Sequence, residues 1–322
     1  MSDAKVALIG LGAMTQRVHL PSLASFPDVS IVGACDLDRQ RLDSVADRYG
    51  IEGRYTDYRQ MVEDTAPDGV YAVGQPHLMY DVWVWCLRQG LNLYVEKPLG
   101  LSRHQAEMPA ALAEENGAIT QVSFQRRTSP LLSKMRDACL ERGPIVHAVC
   151  EFYKCDPQPF WSPRDRMLDD GVHVIDTLRW ICGGDVENIE SHCKRIGVPD
   201  INWFTATLHF STGATGVLLC NWASGRRVFR VQMHAPTIAC DADPETGAQL
   251  YADNQTEPAV YDARAVAGSD ELYVFGGFRE KNREFIDSLL AGRELTSSPF
   301  RDAVRTMEVA DRILAQAALR GD

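Results

Sequence analysis

The sequence predicts an α/β protein in two domains. A doubly wound parallel sheet occupies residues 1–122, and an α+β domain on a largely antiparallel, open-faced sheet occupies 123–322. Three observations predict it. The first part alternates short apolar runs with helix-period segments, the pattern of strand–helix–strand crossovers over a parallel sheet. From about residue 123 onward, strand follows strand with short turns, which implies antiparallel pairing with helices on one face. The 322 residues also exceed what one core usually holds.

Taken in order, "KVALIG" and "VSIVGACD" read as the first two strands. In "DRQRLDSVADRYG", Leu42, Val45, Ala46 and Tyr49 share a helical face that stops at Gly50. "GVYAVG", "LNLYV" and "AITQVSF" are further strands with helices between them. Pro109 lies inside the helical "SRHQAEMPAALAEENG", so a kink or a late start is expected there. Trp83 and Trp85 suit helix-to-sheet packing better than a stacking site. A helix near 130–142 leads through Gly143-Pro144 into "IVHAVCEFYK", and a second spans about 170–182. "VENIESHCKRIGV", "NWFTATLHFS", "ATGVLLCNWAS" and "RRVFRVQMHA" are strands, and helices near 278–291 and 300–319 close the chain.

A net charge of −11 argues against nucleic acid or an anionic membrane as a partner, since both demand a basic face. No run approaches a transmembrane helix, and the start "MSDAKVALIG" lacks a signal peptide's layout, so a cytoplasmic location is expected. Nine scattered cysteines without a C-x-x-C pair suit reduced, mostly buried thiols rather than disulfides or a metal site.

In "VALIGLGAMT" a strand runs into Gly10-x-Gly12 and then a helix that Ala13 and Met14 open. Gly10 permits a tight turn, and Gly12 lets backbone N–H groups approach a pyrophosphate at the helix N-terminus. The third position of the usual fingerprint is Thr15. Asp36, closing the second strand, stands where a ribose-binding acid is expected, so the first domain reads as a Rossmann dinucleotide-binding domain. The carboxylate favours NAD, since it would repel a 2′-phosphate. Arg39 and Arg41 keep NADP as the alternative, or are solvated helix residues.

Two further clusters carry chemistry. The apolar strand "LNLYV" ends in Glu96-Lys97-Pro98, and charged residues are rarely placed there without use. In "LDDGVHVIDTLRW", His173 follows Asp169 by four residues and projects from the same side of a helix. The plainer alternative makes Asp169 or Asp170 an N-cap and Asp176–Arg179 a surface pair.

With "GLGAMTQRVHLPSLASFPDVSIVGACD", "YVEKPLG", "FQRR", "LDDGVHVIDTLRW" and "NREFIDSLL", the chain resembles the Gfo/Idh/MocA oxidoreductases over essentially its whole length. The resemblance implies that Lys97, Asp169 and His173 face nicotinamide and substrate, that Lys97-Pro98 is cis, and that Glu96 anchors the turn or the cofactor side. It implies an NAD(P)-dependent dehydrogenase or reductase acting on a CH–OH group of a sugar, polyol or sugar derivative. His173 is the proton acceptor, Lys97 supplies positive charge, and no metal is needed. An NAD-dependent glycosidase with transient oxidation and a non-catalytic cofactor-binding regulator are the competing functions.

The chain departs from the family where a glycine run is replaced by "SPRDRM" and where Gln75 and Tyr80 replace a threonine and a histidine in "GQPHLMY". Gln75, Pro76 and His77 are expected along the cofactor, or His77 in a surface loop. Arg126, Arg127, Arg164 and Arg166 gather around an anionic substrate or form surface pairs, and Tyr153 and Trp161 stack on a sugar or pack in the core. His192, His209 and His234 read as structural. Partners reduce to a small-molecule substrate and further copies of the chain, a dimer or tetramer formed through the C-terminal sheet.

Overall fold

The computed structural model describes residues 3–320. It divides into two units, one of residues up to Gln125 with Leu272–Val304, the other Arg126–Glu271 with the residues from Arg305 onward.

The first unit holds six strands: β1 (Ala4–Ile9), β2 (Val29–Cys35), β3 (Arg54–Tyr55), β4 (Gly69–Ala72), β5 (Asn92–Val95) and β6 (Thr120–Val122). They lie in the order β3-β2-β1-β4-β5-β6, every pair parallel. This is the doubly wound arrangement, whose ligand crevice lies beyond the strands' carboxyl ends where the order reverses, between β1 and β4. β4 is buried throughout, as a strand covered on both faces must be.

Leu272–Val304 was expected in the second domain and belongs to the first unit. Helical periodicity shows that Phe278–Ala291 has an apolar stripe without showing what covers it. Phe285 and Ile286 enter the cluster of Val6, Leu8, Tyr71 and Tyr94, and Phe285 meets the Tyr71 and Tyr94 rings edge-on at 5.5 and 5.7 Å.

Pro109 produces no late start. The helix Arg103–Glu115 begins six residues earlier, capped by the Ser102 hydroxyl, which accepts from Gln105 N. Pro109 has no N–H for the Gln105 carbonyl four residues back, and the Tyr80 hydroxyl donates to that carbonyl at 3.0 Å instead. Trp83 is fully buried, as helix-to-sheet packing requires.

The second unit holds β7 (His147–Cys155), β8 (Val186–Lys194), β9 (Trp203–Phe210), β10 (Thr215–Asn221), β11 (Ala223–Ala235), β12 (Ile238–Asp243), β13 (Gly247–Ala252) and β14 (Ala259–Asp262). Their order is β14-β13-β12-β11-β7-β10-β9-β8, antiparallel except for the parallel pair β7–β10. β9 and β10 alternate buried with half-buried residues, so one face is packed and the other is open. The helices Pro130–Arg142 and Val172–Cys182 cover the packed face. His234 stacks on its cross-strand neighbour His147 at 4.1 Å, and burial together with the His147 charge holds its pKa below the ordinary value. All nine cysteines are thiols outside any disulfide, eight of them buried. No helix among the described residues is long and apolar enough to cross a membrane.

Candidate functional site

In the first unit the loop after β1 carries the glycines. Gly10 has φ +87°, and a Cβ there would lie 2.2 Å from the Val73 carbonyl oxygen, so both turn and packing demand glycine. A Cβ at Gly12 would meet nothing within 4 Å, which leaves the loop open where a ligand's phosphates would approach. Ala13 and Met14 begin the helix beyond, whose first N–H groups have no intrahelical acceptors. Thr15 is fully buried and its hydroxyl donates to the Gly10 carbonyl at 2.6 Å, so this side chain ties the loop where the usual fingerprint has a small residue.

Asp36, at the end of β2, accepts from Leu11 N at 2.8 Å and from Asp38 N at 2.9 Å. One carboxylate thereby fixes the glycine loop, and each oxygen keeps a lone pair for a ribose hydroxyl. Arg39 pairs with Asp43 at 3.1 Å on the exposed helix, and Arg41 is the arginine near Asp36, at 3.6 Å. Gln75 precedes the helix Pro76–Arg88 as its N-cap residue, buried Pro76 is its first residue, and His77 in its first turn is exposed. These residues fit a dinucleotide: a tight loop, an open approach over Gly12, and a carboxylate at the ribose position.

At the carboxyl end of β5, Glu96 is buried and accepts from His19 Nε2 at 2.8 Å. His19 is itself fully buried, its Nδ1 3.2 Å from Asn282 Oδ1. Asn282 Nδ2 donates to the Phe278 carbonyl at 2.7 Å, which fixes the amide so that its oxygen faces the ring. Glu96 is thus an anchor. Half-buried Lys97 follows it, and the Lys97-Pro98 peptide is cis. His19 and Asn282 were missed in the sequence because their partner lies far along the chain.

In the second unit a π-helical turn, Met167–Gly171, runs directly into the α-helix Val172–Cys182. Asp169 and His173 are half-buried, whereas Met167, Leu168, Asp170, Gly171, Val172 and Val174 are buried, so these two side chains share the accessible face. π-turns of this kind are frequent at functional sites. Asp165, rather than Asp169 or Asp170, caps the turn: its carboxylate accepts from Leu168 N at 2.8 Å, and burial raises its pKa. Arg164 Nη2 holds Asp169 Oδ1 at 2.7 Å.

Of the residues expected around a substrate, several are held by partners within the second unit. Tyr153 lies on the open face of the sheet, its hydroxyl donating to Glu151 at 3.0 Å, with its pKa raised by burial and that bond. Its neighbour Lys154 faces the helix and pairs with Asp170. Strand alternation decides which of two adjacent residues faces the helix. Arg166, 1% exposed along its side chain, is spent on Asp156 and Asp200, both at 2.6 Å, and on the Gln158 carbonyl. Arg126 is buried over the Phe229 ring and pairs with Glu245 at 3.0 Å. Arg127 grips Asp176 with two hydrogen bonds of 2.8 and 2.6 Å, and Thr306 also donates to Asp176, so Asp176 belongs to a buried cluster and not to a surface pair. Trp161 is 84% exposed, outside any core. Among the described residues no group of three or more His, Cys, Asp or Glu is placed to hold a metal ion.

Residues 4–124 match the model of an oxidoreductase family described as having an NAD-binding Rossmann fold, and residues 141–236 match the GFO/IDH/MocA C-terminal domain. The chain is 24% identical over 309 residues to a myo-inositol 2-dehydrogenase of Thermotoga maritima, covering 89% of each. Its fold is similar to that of a dehydrogenase from Chromobacterium violaceum, with TM-score 0.90 at 21% identity over 100% of this chain and 97% of that one. It is also similar to an oxidoreductase from Agrobacterium radiobacter solved with NAD+, L-tartaric acid and magnesium, with TM-score 0.83 at 20% identity over 98% and 97%.

Proposed function

The chain belongs to the Gfo/Idh/MocA family of NAD(P)-dependent oxidoreductases, and on that premise we propose that it interconverts a hydroxyl and a carbonyl on a sugar, polyol or sugar derivative. The observation that carries the proposal lies in the first unit. The Glu96-Lys97-Pro98 turn closes β5, two strands from the glycine loop after β1, at the carboxyl ends where such sheets bind ligands. The myo-inositol dehydrogenase relative supports a polyhydroxylated substrate.

In this reading the Gly10–Met14 loop and Asp36 hold the dinucleotide, with NAD favoured by the Asp36 carboxylate. The bound nicotinamide supplies the hydride acceptor or donor. Lys97 stabilises the negative charge that develops on the substrate oxygen. His173 takes the hydroxyl proton during oxidation and returns it during reduction, and Asp169 hydrogen-bonds the substrate. The open face of the second unit's sheet supports assembly into a homo-oligomer, and nine cysteines held as reduced thiols support a cytoplasmic location. NADH absorbance followed over a panel of polyols, sugars and sugar acids tests the proposal; no reduction of NAD+ or NADP+ with any of them, and no oxidation of the reduced nucleotides by the matching carbonyl compounds, would contradict it.

A further inference from the structure

We propose that Arg164 determines substrate specificity and selects a sugar bearing a carboxylate, a uronate or an aldonate, over a neutral polyol. The inference rests on the oxidoreductase reading above and deepens it.

Of the four arginines around this segment, Arg126, Arg127 and Arg166 are spent on Glu245, on Asp176, and on Asp156 with Asp200. Arg164 differs in its partner: its Nη2 donates to half-buried Asp169 at 2.7 Å, and its Nε–H, like that of Arg126, is buried with no acceptor among the described residues. A buried donor on a charged group is costly to leave unmatched, so such groups mark places where structure serves something other than stability.

The surroundings define what matches it. Asp169 and His173 are the half-buried residues of an otherwise buried turn, so a ligand reaching His173 passes Asp169. An aspartate alone would repel a carboxylate there. The Arg164 guanidinium neutralises that charge, and its five N–H groups form a planar fork able to bridge two carboxylates, one of them Asp169 and the other the substrate's. A hydroxyl would engage only one N–H. The fork is also held in place: Arg164 N donates to Ser162 Oγ at 3.3 Å, and two residues on, Arg166 is clamped by Asp156 and Asp200.

Two measurements test this on the full chain with NAD+. The first compares kcat/KM for D-glucuronate and D-gluconate with that for D-glucose and myo-inositol, in the wild type, in Arg164→Met and in Arg164→Lys. The acid-over-neutral ratio is expected to favour acids in the wild type and to fall about tenfold or more in Arg164→Met, largely through KM, with Arg164→Lys only partly restoring it. The second is the rise in melting temperature that glucuronate gives the NADH-bound chain, expected in the wild type and reduced in Arg164→Met. Stabilisation that depends on Arg164 without turnover of any sugar would support the inference and overturn the oxidoreductase reading. Turnover of neutral sugars with a ratio unmoved by Arg164→Met, or a sugar phosphate preferred over both acids, would overturn the inference and leave that reading standing.

Discussion

His19 Nε2 lies 2.8 Å from a Glu96 carboxylate oxygen, with the imidazole fully buried and the glutamate nearly so. The bond joins the helix after the glycine loop to the end of β5, immediately before Lys97. Breaking one side of a buried polar pair strands the other, which costs more than the pair contributes when intact.

Replacing His19 with leucine is therefore expected to cost about 3 kcal/mol in urea-unfolding stability. His19→Gln keeps an amide donor for Glu96 and should lose less. Equal, small losses in both variants would show that the Glu96 carboxylate does not depend on this bond.

The Tyr80 hydroxyl serves the Gln105 carbonyl that Pro109 cannot reach. Tyr80→Phe should cost about 1 kcal/mol in the native sequence. The cost should shrink in a Pro109→Ala background, where residue 109 regains its N–H. A double-mutant cycle with no coupling would contradict this assignment.

Asp36 both ties Leu11 N and stands at the ribose position. Asp36→Ala should raise the KM for NAD+ by about tenfold and narrow the preference over NADP+, since the carboxylate that would repel a 2′-phosphate is gone while Arg41 stays beside the site, paired with Asp38 at 3.0 Å. Unchanged specificity across the two nucleotides would mean that another residue reads the ribose.

Acid sensitivity should have a contribution from the second unit's sheet. Burial and His147 hold the His234 pKa below its ordinary 6.5, and the opposing pull of Asp241 is smaller. The folded chain then binds fewer protons than the unfolded one, so stability falls as pH drops below the ordinary value toward the lowered one. Melting temperatures between pH 7 and pH 5, at about half-unit steps, should fall less steeply in His234→Gln than in the wild type. Parallel curves would count against this.

Local pattern carried much of this architecture. Alternating apolar runs gave the crossovers of the parallel sheet, and the glycine loop, Asp36 and the Glu96-Lys97-Pro98 turn stood out because each breaks its local pattern. Register and distance hid the rest. Whether Tyr153 or Lys154 faces the helix depends on a one-residue phase, and the carboxylates that occupy Arg126, Arg127 and Arg166 lie 119, 49 and 10 or 34 residues away. The helix Phe278–Ala291 was legible as a helix, but only tertiary packing assigns it to the first unit. Thr15 illustrates the same point: as a letter it breaks the fingerprint, and in the fold its hydroxyl ties the loop.

Lys97→Ala tests whether this oxidoreductase works through Lys97. With a substrate found on the panel, kcat should fall by about a hundredfold or more, while the NADH dissociation constant, read from nicotinamide fluorescence, stays within about threefold of wild type. A kcat near the wild-type value in a variant that binds NADH normally would contradict the role given to Lys97.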